Sequence, residues 1–411
     1  MGDAMRVRVL AALCVLAGLS GCGGSSGGAA ATPEAGTASP PAAARKFDPP
    51  TRFDPATGVA LPREAIEPQV NLAGAAVAPL TIALVDSTAF IVTAVQVLVV
   101  DVLTGKTTAT VTPEHKAAPA GLGNTVWAGP NGASMPLLAK VDGRTLVLAT
   151  FRVDGSASSE LVAIDAQTGA RAWTLLLDTA TTQLGVHDRT LILGNFGTNA
   201  VTTALDLSTR KVVWSKPGVE TTAVAGDSVI VIDGRARAAL SVSDGAQRWR
   251  TPADVEVQSV TPAGDRLVVM QWITKENKRR FNVLDTATGA VKTAEDTGNQ
   301  RVDCVDDQAG VVVCHAGGGP VADWVGALDP GTGTWRWELP AQGREAPGFT
   351  AAWHGAVYGR AGGKPVVLDA RTGTEREASP GIAPLFVSAY AGLAIAGEAG
   401  NYDLRAFHPT A

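Results

Sequence analysis

The five histidines are the side chains best suited to acid–base or metal chemistry, and their spacing decides whether they could form a catalytic or metal site. They are His115, His187, His315, His354 and His408. None of them belongs to a metal-ligand spacing or lies beside a nucleophile signature. Asp303, Asp306 and Asp307 are close enough to offer oxygen ligands to calcium, but acidic residues are common around a hairpin turn. We therefore expect no catalytic residue and no metal site.

Two of the four cysteines, Cys304 and Cys314, have a spacing that favours a disulfide. They lie in two apolar runs around a polar turn, and a hairpin centred near Ala309 would place them opposite each other. An even count in an oxidising compartment supports a disulfide. Two buried free thiols are the alternative, and a metal site is less favoured because only His315 is near.

The amino terminus has the features of a secretory signal. Arg6 and Arg8 precede an apolar stretch, residues 9–19, that is too short to span a bilayer. The next residues, Leu19-Ser-Gly-Cys22, resemble the lipobox of bacterial lipoproteins. That resemblance implies that residues 1–21 are removed and that Cys22 carries the lipid anchor, on the extracytoplasmic face of the cell membrane. An ordinary cleaved signal with a coincidental cysteine is the alternative.

The segment from 22 to 50 is predicted to be a disordered tether. It consists mostly of Gly, Ser, Ala, Thr and Pro, with almost no large apolar side chain. Such a segment cannot bury enough area to offset its ordering entropy. The remainder, residues 51–411, shows no similar linker, so we expect one domain.

A recurring pentad, Asp-x-x-Thr-Gly, organises that domain. Its copies run from Asp54 to Gly58, Asp101 to Gly105, Asp165 to Gly169, Asp285 to Gly289, Asp329 to Gly333 and Asp369 to Gly373. Degenerate copies begin at Asp206 and Ser241. Most steps are close to the length of one four-stranded propeller blade, roughly 40 to 50 residues. Because a short apolar run precedes each pentad, and Asp and Gly suit tight turns, each pentad is predicted to be a hairpin turn.

A tryptophan follows the pentad at one fixed offset in four copies, as Trp173, Trp214, Trp249 and Trp337. We expect this ring to fill a fixed slot between neighbouring units, with its indole N–H on a backbone acceptor. The stretches 163–173, 204–214 and 327–337, which read Ala-x-Asp-x-x-Thr-x-x-x-x-Trp, resemble the repeat of the pyrroloquinoline-quinone-like (PQQ-like) β-propellers. This resemblance covers about residues 50 to 411.

The predicted fold is an all-β, eight-bladed PQQ-like β-propeller of four-stranded antiparallel blades, with seven blades as the fallback. Glycine and proline are abundant, at 46 and 24 residues, as expected for such a body. The last strand, near residues 404–409, stops where a pentad should begin. We therefore expect residues 53–61 to complete the blade that residues 380–409 begin, which closes the ring and removes free sheet edges.

The face opposite the pentads is the expected binding face, because the long connections fall there. The candidate binding residues in these connections are Trp127, in the longest insertion, and the basic cluster of Lys275, Lys278, Arg279 and Arg280. The cluster is either a solvated hairpin tip or a site for an acidic or polymeric partner.

The PQQ-like resemblance extends to quinone-dependent dehydrogenases and to barrel-assembly lipoproteins. The dehydrogenases have an adjacent cysteine pair against the cofactor, and this chain has no Cys-Cys. We therefore predict a non-catalytic binding scaffold without a cofactor, whose partner is an envelope protein or a cell-wall polymer. A net charge of −5 suggests no nucleic-acid partner, and we expect a monomer. A quinone-dependent oxidoreductase and a small-ligand sensor using the central channel are the alternatives.

Overall fold

Eight four-stranded sheets make up the protein. The computed structural model describes residues 45–66, 80–118, 135–252, 257–273, 279–298, 301–316, 324–377, 379–398 and 401–411. Within these residues, every strand pairing is antiparallel, and the sheets are blades of a propeller. The prediction of an all-β, eight-bladed propeller is confirmed, and the seven-bladed fallback is wrong.

Seven blades each use four consecutive strands. Blade 1 contains β2 (Ile82–Val85), β3 (Thr88–Val92), β4 (Val97–Asp101) and β5 (Lys106–Val111); blade 2 contains β6 (Leu137–Val141), β7 (Arg144–Arg152), β8 (Ser159–Asp165) and β9 (Arg171–Leu177); blade 3 contains β10 (Thr182–His187), β11 (Thr190–Asn195), β12 (Val201–Asp206) and β13 (Lys211–Pro217); and blade 4 contains β14 (Glu220–Ala225), β15 (Ser228–Asp233), β16 (Ala236–Ser241) and β17 (Gln247–Arg250). Blade 5 contains β18 (Val257–Ala263), β19 (Leu267–Ile273), β20 (Arg279–Asp285) and β21 (Val291–Gly298); blade 6 contains β22 (Val302–Asp306), β23 (Val312–Ala316), β24 (Trp324–Leu328) and β25 (Trp335–Leu339); and blade 7 contains β26 (Gly348–Trp353), β27 (Ala356–Ala361), β28 (Lys364–Asp369) and β29 (Glu375–Glu377).

Blade 8 is built from both ends of the chain. It contains β30 (Phe386–Val387), β31 (Gly392–Glu398) and β32 (Asn401–Phe407), and its outer strand is β1 (Val59–Ala60). Val59 lies opposite Ala406, and an isolated bridge joins Phe53 to Pro409. The predicted closure by the amino-terminal segment is therefore confirmed. A short 3₁₀ helix, Arg63–Ala65, follows β1.

The core consists of eight apolar clusters, each shared by two consecutive blades. Strand β8 lacks the usual apolar–polar alternation in its central residues, and the packing of these residues explains this. Leu161 and Ala163 pack toward blade 3, whereas Val162 and Ile164 pack toward blade 1, so both faces of the strand are buried. One cluster joins blade 8 to blade 1 and closes the ring.

The antiparallel order of the strands gives the propeller two unlike faces. The turns between first and second strands and between third and fourth strands lie on one side, which we call the pentad face. The turns between second and third strands and the links between blades lie on the other side, which we call the connection face. In the described part of the chain, no helix has the length and apolar character needed to cross a membrane.

Candidate functional site

The pentad carboxylates are hydrogen-bonded within their own turns. The Asp165 carboxylate accepts from the amides of Gln167 and Thr168, both at 3.0 Å, and the Gly169 amide donates to the Asp165 carbonyl at 2.9 Å. The Thr168 amide is the main reason that the pKa of Asp165 is lowered, and the Thr332 amide does the same for the pKa of Asp329. Ionised carboxylates held in this way stabilise turns and are poor candidates for proton transfer.

The tryptophans at the fixed offset reach from one blade to the next. The indole N–H groups donate to backbone carbonyls as follows: Trp214 to Val242 at 2.7 Å, Trp249 to Thr286 at 2.8 Å and Trp337 to Ala370 at 2.9 Å. Trp173 packs against the apolar cluster between blades 2 and 3. These rings fill the junctions between blades, so they are not available to stack on a ligand.

In three copies, the glycine that ends the pentad belongs to the same contact, and these are Gly245, Gly289 and Gly373. Gly373 has a φ of +68°, and a Cβ added there would lie 2.6 Å from a ring atom of Trp337. Gly289 stands in the same relation to Trp249. Glycine is needed for two reasons, since the turn requires positive φ and the indole ring of the preceding blade leaves no space for a side chain.

Two copies have another residue at the tryptophan position, and its side chain contacts the next blade or the amino-terminal segment instead. The Thr293 hydroxyl donates to the Gly333 carbonyl of the next blade at 2.7 Å. Glu377 forms an ion pair with Arg52 at 2.9 Å, which joins blade 7 to the amino-terminal segment. The offset therefore marks a junction position in these copies as well.

Cys304 and Cys314 form a disulfide, as predicted. They are directly opposite each other in the β22–β23 hairpin, with their Cα atoms 4.0 Å apart. Cys314 is fully buried, and the bridge closes a hairpin whose second strand also pairs with β24. The disulfide therefore reinforces the innermost part of blade 6.

The histidines lie apart, in different contacts. His315 stacks on Phe349 with ring centroids 4.5 Å apart, and burial lowers its pKa. His354 pairs with Asp48, and the His115 ring contacts Glu160. Among the described residues, no three His, Cys, Asp or Glu side chains converge as a metal site would require.

The acidic residues near Asp303 have two different environments. The buried Asp307 carboxylate accepts from the amides of Ala309, Val311 and Gly355, which ties the inner turn of blade 6 to that of blade 7. Burial raises the pKa of Asp306, and the negative charge of Asp307 adds to this effect. Asp307 is thus a structural carboxylate that connects two blades.

A pocket of about 400 Å³ opens on the pentad face between blades 3 and 4. Its charged side chains are already paired. Arg248 binds Asp227 through two contacts of 2.7 Å, and Arg189 binds Asp206 at 2.9 Å. A ligand would have to compete with these pairs.

Most of the predicted binding residues on the connection face lie outside the described residues. These are Trp127, Lys275 and Lys278, together with the side chain of Arg279. Arg280 lies on β20, where it pairs in register with Asp296. Cys22 also lies outside the described residues.

A buried glutamate that sequence reasoning missed fixes the start of the longest insertion. Glu160 on β8 is 1% exposed and accepts from the amides of Glu114 and His115 at 2.7 and 2.8 Å. Lys116 then pairs with Asp154 at 2.6 Å. The signal in the sequence was a charged residue directly before the apolar run Leu161–Ile164 of the same strand.

The segment that enters the propeller, residues 47–53, runs across the pentad face, and we call it the N-terminal strap. The Phe47 amide donates to the Ala389 carbonyl in the inner turn of blade 8 at 2.9 Å. Asp48 pairs with His354 in the inner turn of blade 7, and Arg52 pairs with Glu377 farther out. The chain therefore enters at the inner part of the pentad face.

Residues 197–378 match a family model described as "Outer membrane protein assembly factor BamB". The matched segment includes blades 4 to 7 and the two outer strands of blade 3, and it contains both degenerate pentads.

Two solved structures resemble the whole propeller more distantly. The crystal structure of BamB from Moraxella catarrhalis is 14% identical, covers 85% of this chain and 98% of its own, and has a TM-score of 0.45. The crystal structure of the Mitotic Checkpoint Complex is 12% identical, covers 81% of this chain and 94% of its own, and has a TM-score of 0.40. No curated protein matches the chain.

Proposed function

We propose that this protein is a membrane-anchored extracytoplasmic lipoprotein whose propeller is a non-catalytic scaffold for an envelope protein. The observation that carries the proposal is that the recurring pentads form turns and the recurring tryptophans fill blade junctions, so these repeated residues have structural roles. What differs between blades is the set of connections, and variable loops on a rigid body are typical of binding surfaces. The BamB-like match of residues 197–378 supports the same interpretation.

The anchoring part of the proposal depends on Cys22 and the residues before it. Lipidation there, with residues 23–44 as the tether, would hold the propeller at the cell membrane on its extracytoplasmic side. The Cys304–Cys314 disulfide supports that location, because disulfides persist in oxidising compartments. A Cys22→Ala variant is expected to move from the membrane fraction to the soluble fraction, and a variant that stays in the membrane fraction would contradict the anchor.

The connection face is the proposed docking surface. The N-terminal strap occupies part of the pentad face, so the described chain begins on that side. A tether attached there favours a propeller whose pentad face is toward the membrane and whose connection face is toward soluble domains of other envelope proteins.

Site-specific photo-crosslinking in intact envelopes tests this surface. Probes at Val95 and Arg235 lie in second-to-third turns on the connection face, and matched probes at Asp142 and Asp188 lie in first-to-second turns on the pentad face. We expect protein adducts from the first pair and none from the second. Adducts from the pentad face alone, or adducts only with cell-wall polymer, would overturn the proposal. A thermal shift on adding pyrroloquinoline quinone with calcium would favour an enzyme instead.

A further inference from the structure

Two tryptophans and two glutamates meet at the partly exposed junction of blades 5 and 6, and we call this cluster the aromatic–acidic groove. Trp324 on β24 and Trp335 on β25 meet edge to face, with ring centroids 4.9 Å apart. The Trp324 indole N–H donates to Glu338 at 3.1 Å, and the Trp335 indole N–H donates to Glu295 on β21. All four side chains are half-buried.

Among the described residues, the negative charge of the groove has no matching cation. In the described part of the chain, neither Glu295 nor Glu338 forms an ion pair, and their only side-chain donors are the two neutral indoles. Burial raises the pKa of Glu338, and the charge of Glu295 raises it further, so the carboxylates are close enough to repel. A cation placed between them would offset that repulsion.

The groove has the chemistry to hold a nitrogen cation. A metal ion would lack ligands, because the described residues place no third His, Cys, Asp or Glu beside this pair. Each carboxylate has one oxygen bound to an indole, which leaves the other oxygen able to accept from an ammonium or guanidinium group. The two indole rings also pack against Phe281, and their exposed edges, unlike the junction tryptophans, lie beside unpaired carboxylate oxygens, where they add aromatic surface that favours organic cations over hydrated ones.

The end of the groove formed by Trp324 and Glu338 lies near the connection face, whereas Trp335, the first residue of β25, lies toward the pentad face. Trp324 is the first residue of β24, directly after a second-to-third connection. Glu338 is the penultimate residue of β25, directly before the link to blade 7. A side chain projecting from a protein docked on the connection face could therefore enter the groove.

We propose that the aromatic–acidic groove binds a lysine or arginine side chain of the partner protein. This inference rests on the proposed function and specifies the chemistry of the partner. The groove selects a partner that presents a basic side chain and disfavours one that presents an acidic side chain at the same position.

Binding of lysine amide and arginine amide, with norleucine amide as the uncharged control, tests the groove directly. The readout is the ¹H–¹⁵N signals of the Trp324 and Trp335 indoles. We expect both signals to shift saturably with the two cationic amides and not with norleucine amide. Glu338→Gln should weaken binding at least about tenfold, whereas Glu345→Gln, a nearby exposed glutamate, should leave it unchanged. Equal shifts with norleucine amide, or equal effects of the two substitutions, would overturn the proposal.

Calorimetry gives a second readout that a purely structural groove would not change. Because Glu338 has a raised pKa, a bound cation should lower it, and binding near pH 5 should release protons. The measured heat should then depend on the ionisation enthalpy of the buffer in the native protein and not in Glu338→Gln. Buffer-independent heats in both proteins would contradict the assigned site.

Crosslinking with a Glu295→Gln/Glu338→Gln protein separates this inference from the proposed function. Amide binding in the native protein without any envelope adduct would overturn the scaffold and leave the groove standing as a cation site. Adducts at Val95 that persist unchanged in the double variant would overturn the groove's role in partner selection and leave the scaffold intact.

Discussion

At the scale of single residues, the protein depends on a contact between one blade's tryptophan and the next blade's pentad glycine. The Trp337 ring lies against Gly373, and its N–H donates to the carbonyl of Ala370 in the same turn. One side chain thus buries aromatic area and satisfies a backbone acceptor at once. At this junction the glycine is required because any side chain at its position would overlap the indole ring.

We predict that Gly373→Ala destabilises the protein more than Gly363→Ala does. Both glycines have positive φ, so each substitution adds about 1–2 kcal/mol of backbone strain. Only the Gly373 methyl would meet the Trp337 ring, which adds about 1–3 kcal/mol of overpacking, whereas the space around Gly363 is open. Urea denaturation measures the difference, and equal losses would show that the ring does not restrict this position.

The carboxylates of the pentads predict a loss of stability in acid. The pKa values of Asp165, Asp206 and Asp329 are lowered mainly by amides in their own turns. Their contribution is fully present above the ordinary value of 3.8 and is lost as the pH falls through the lower folded values. Burial raises the pKa of Asp306 and Glu338, which act in the opposite direction.

We therefore expect the Tm to fall between pH 5 and pH 2.5. An Asp165→Asn/Asp329→Asn protein should show a shallower fall over the same range, because it lacks two of the carboxylates responsible. An unchanged slope would mean that other groups dominate acid unfolding.

At the scale of elements, the β22–β23 hairpin is held by both a ladder and a disulfide. The cysteines are 10 residues apart, so the covalent loop is short. Short loops remove little entropy from the unfolded chain. The hairpin should therefore keep its fold without the bridge, at reduced stability.

We predict that a Cys304→Ala/Cys314→Ala protein folds but loses about 2–3 kcal/mol of stability. Dithiothreitol should destabilise the native protein by a similar amount and leave the double variant unaffected. A loss much larger than this, or a variant that fails to fold, would show that the bridge is needed to form blade 6.

At the scale of the whole molecule, closure by β1 joins the two ends of the chain. Phe53 is 2% exposed and packs between blades 7 and 8, and Val59 pairs with Ala406 on the third strand of blade 8. Without β1, the edge of β32 would be free to pair with another chain. Closure thus protects the one blade whose outer strand is not contiguous in sequence.

A protein lacking residues 1–62 is expected to aggregate or lose cooperative unfolding, whereas one lacking residues 1–44 should remain monomeric and stable. Light scattering and thermal denaturation compare the two. Equal stability of both truncations would contradict the closure argument.

Much of this architecture could be predicted from the sequence, because the same sequence pattern occurs in several blades. Pentad positions predicted the turns between third and fourth strands, and a last strand that stops where a pentad should begin predicted the shared blade. The Glu160 contacts and the Trp335–Glu295 pair could not be predicted, since each occurs once and joins residues 40 or more positions apart. A single contact leaves no pattern to recognise.

The sequence by itself determined the number of blades, the turn chemistry and the cysteine pairing, because these depend on local periodicity and short spacing. The tertiary structure alone decided which unrelated segments meet. It brought Glu295 and Glu338 together from neighbouring blades, and it carried the N-terminal strap across turns more than 300 residues away. Such contacts are set by ring closure and by packing between blades. The local sequence around each residue does not predict them, because the partner lies far away in the chain.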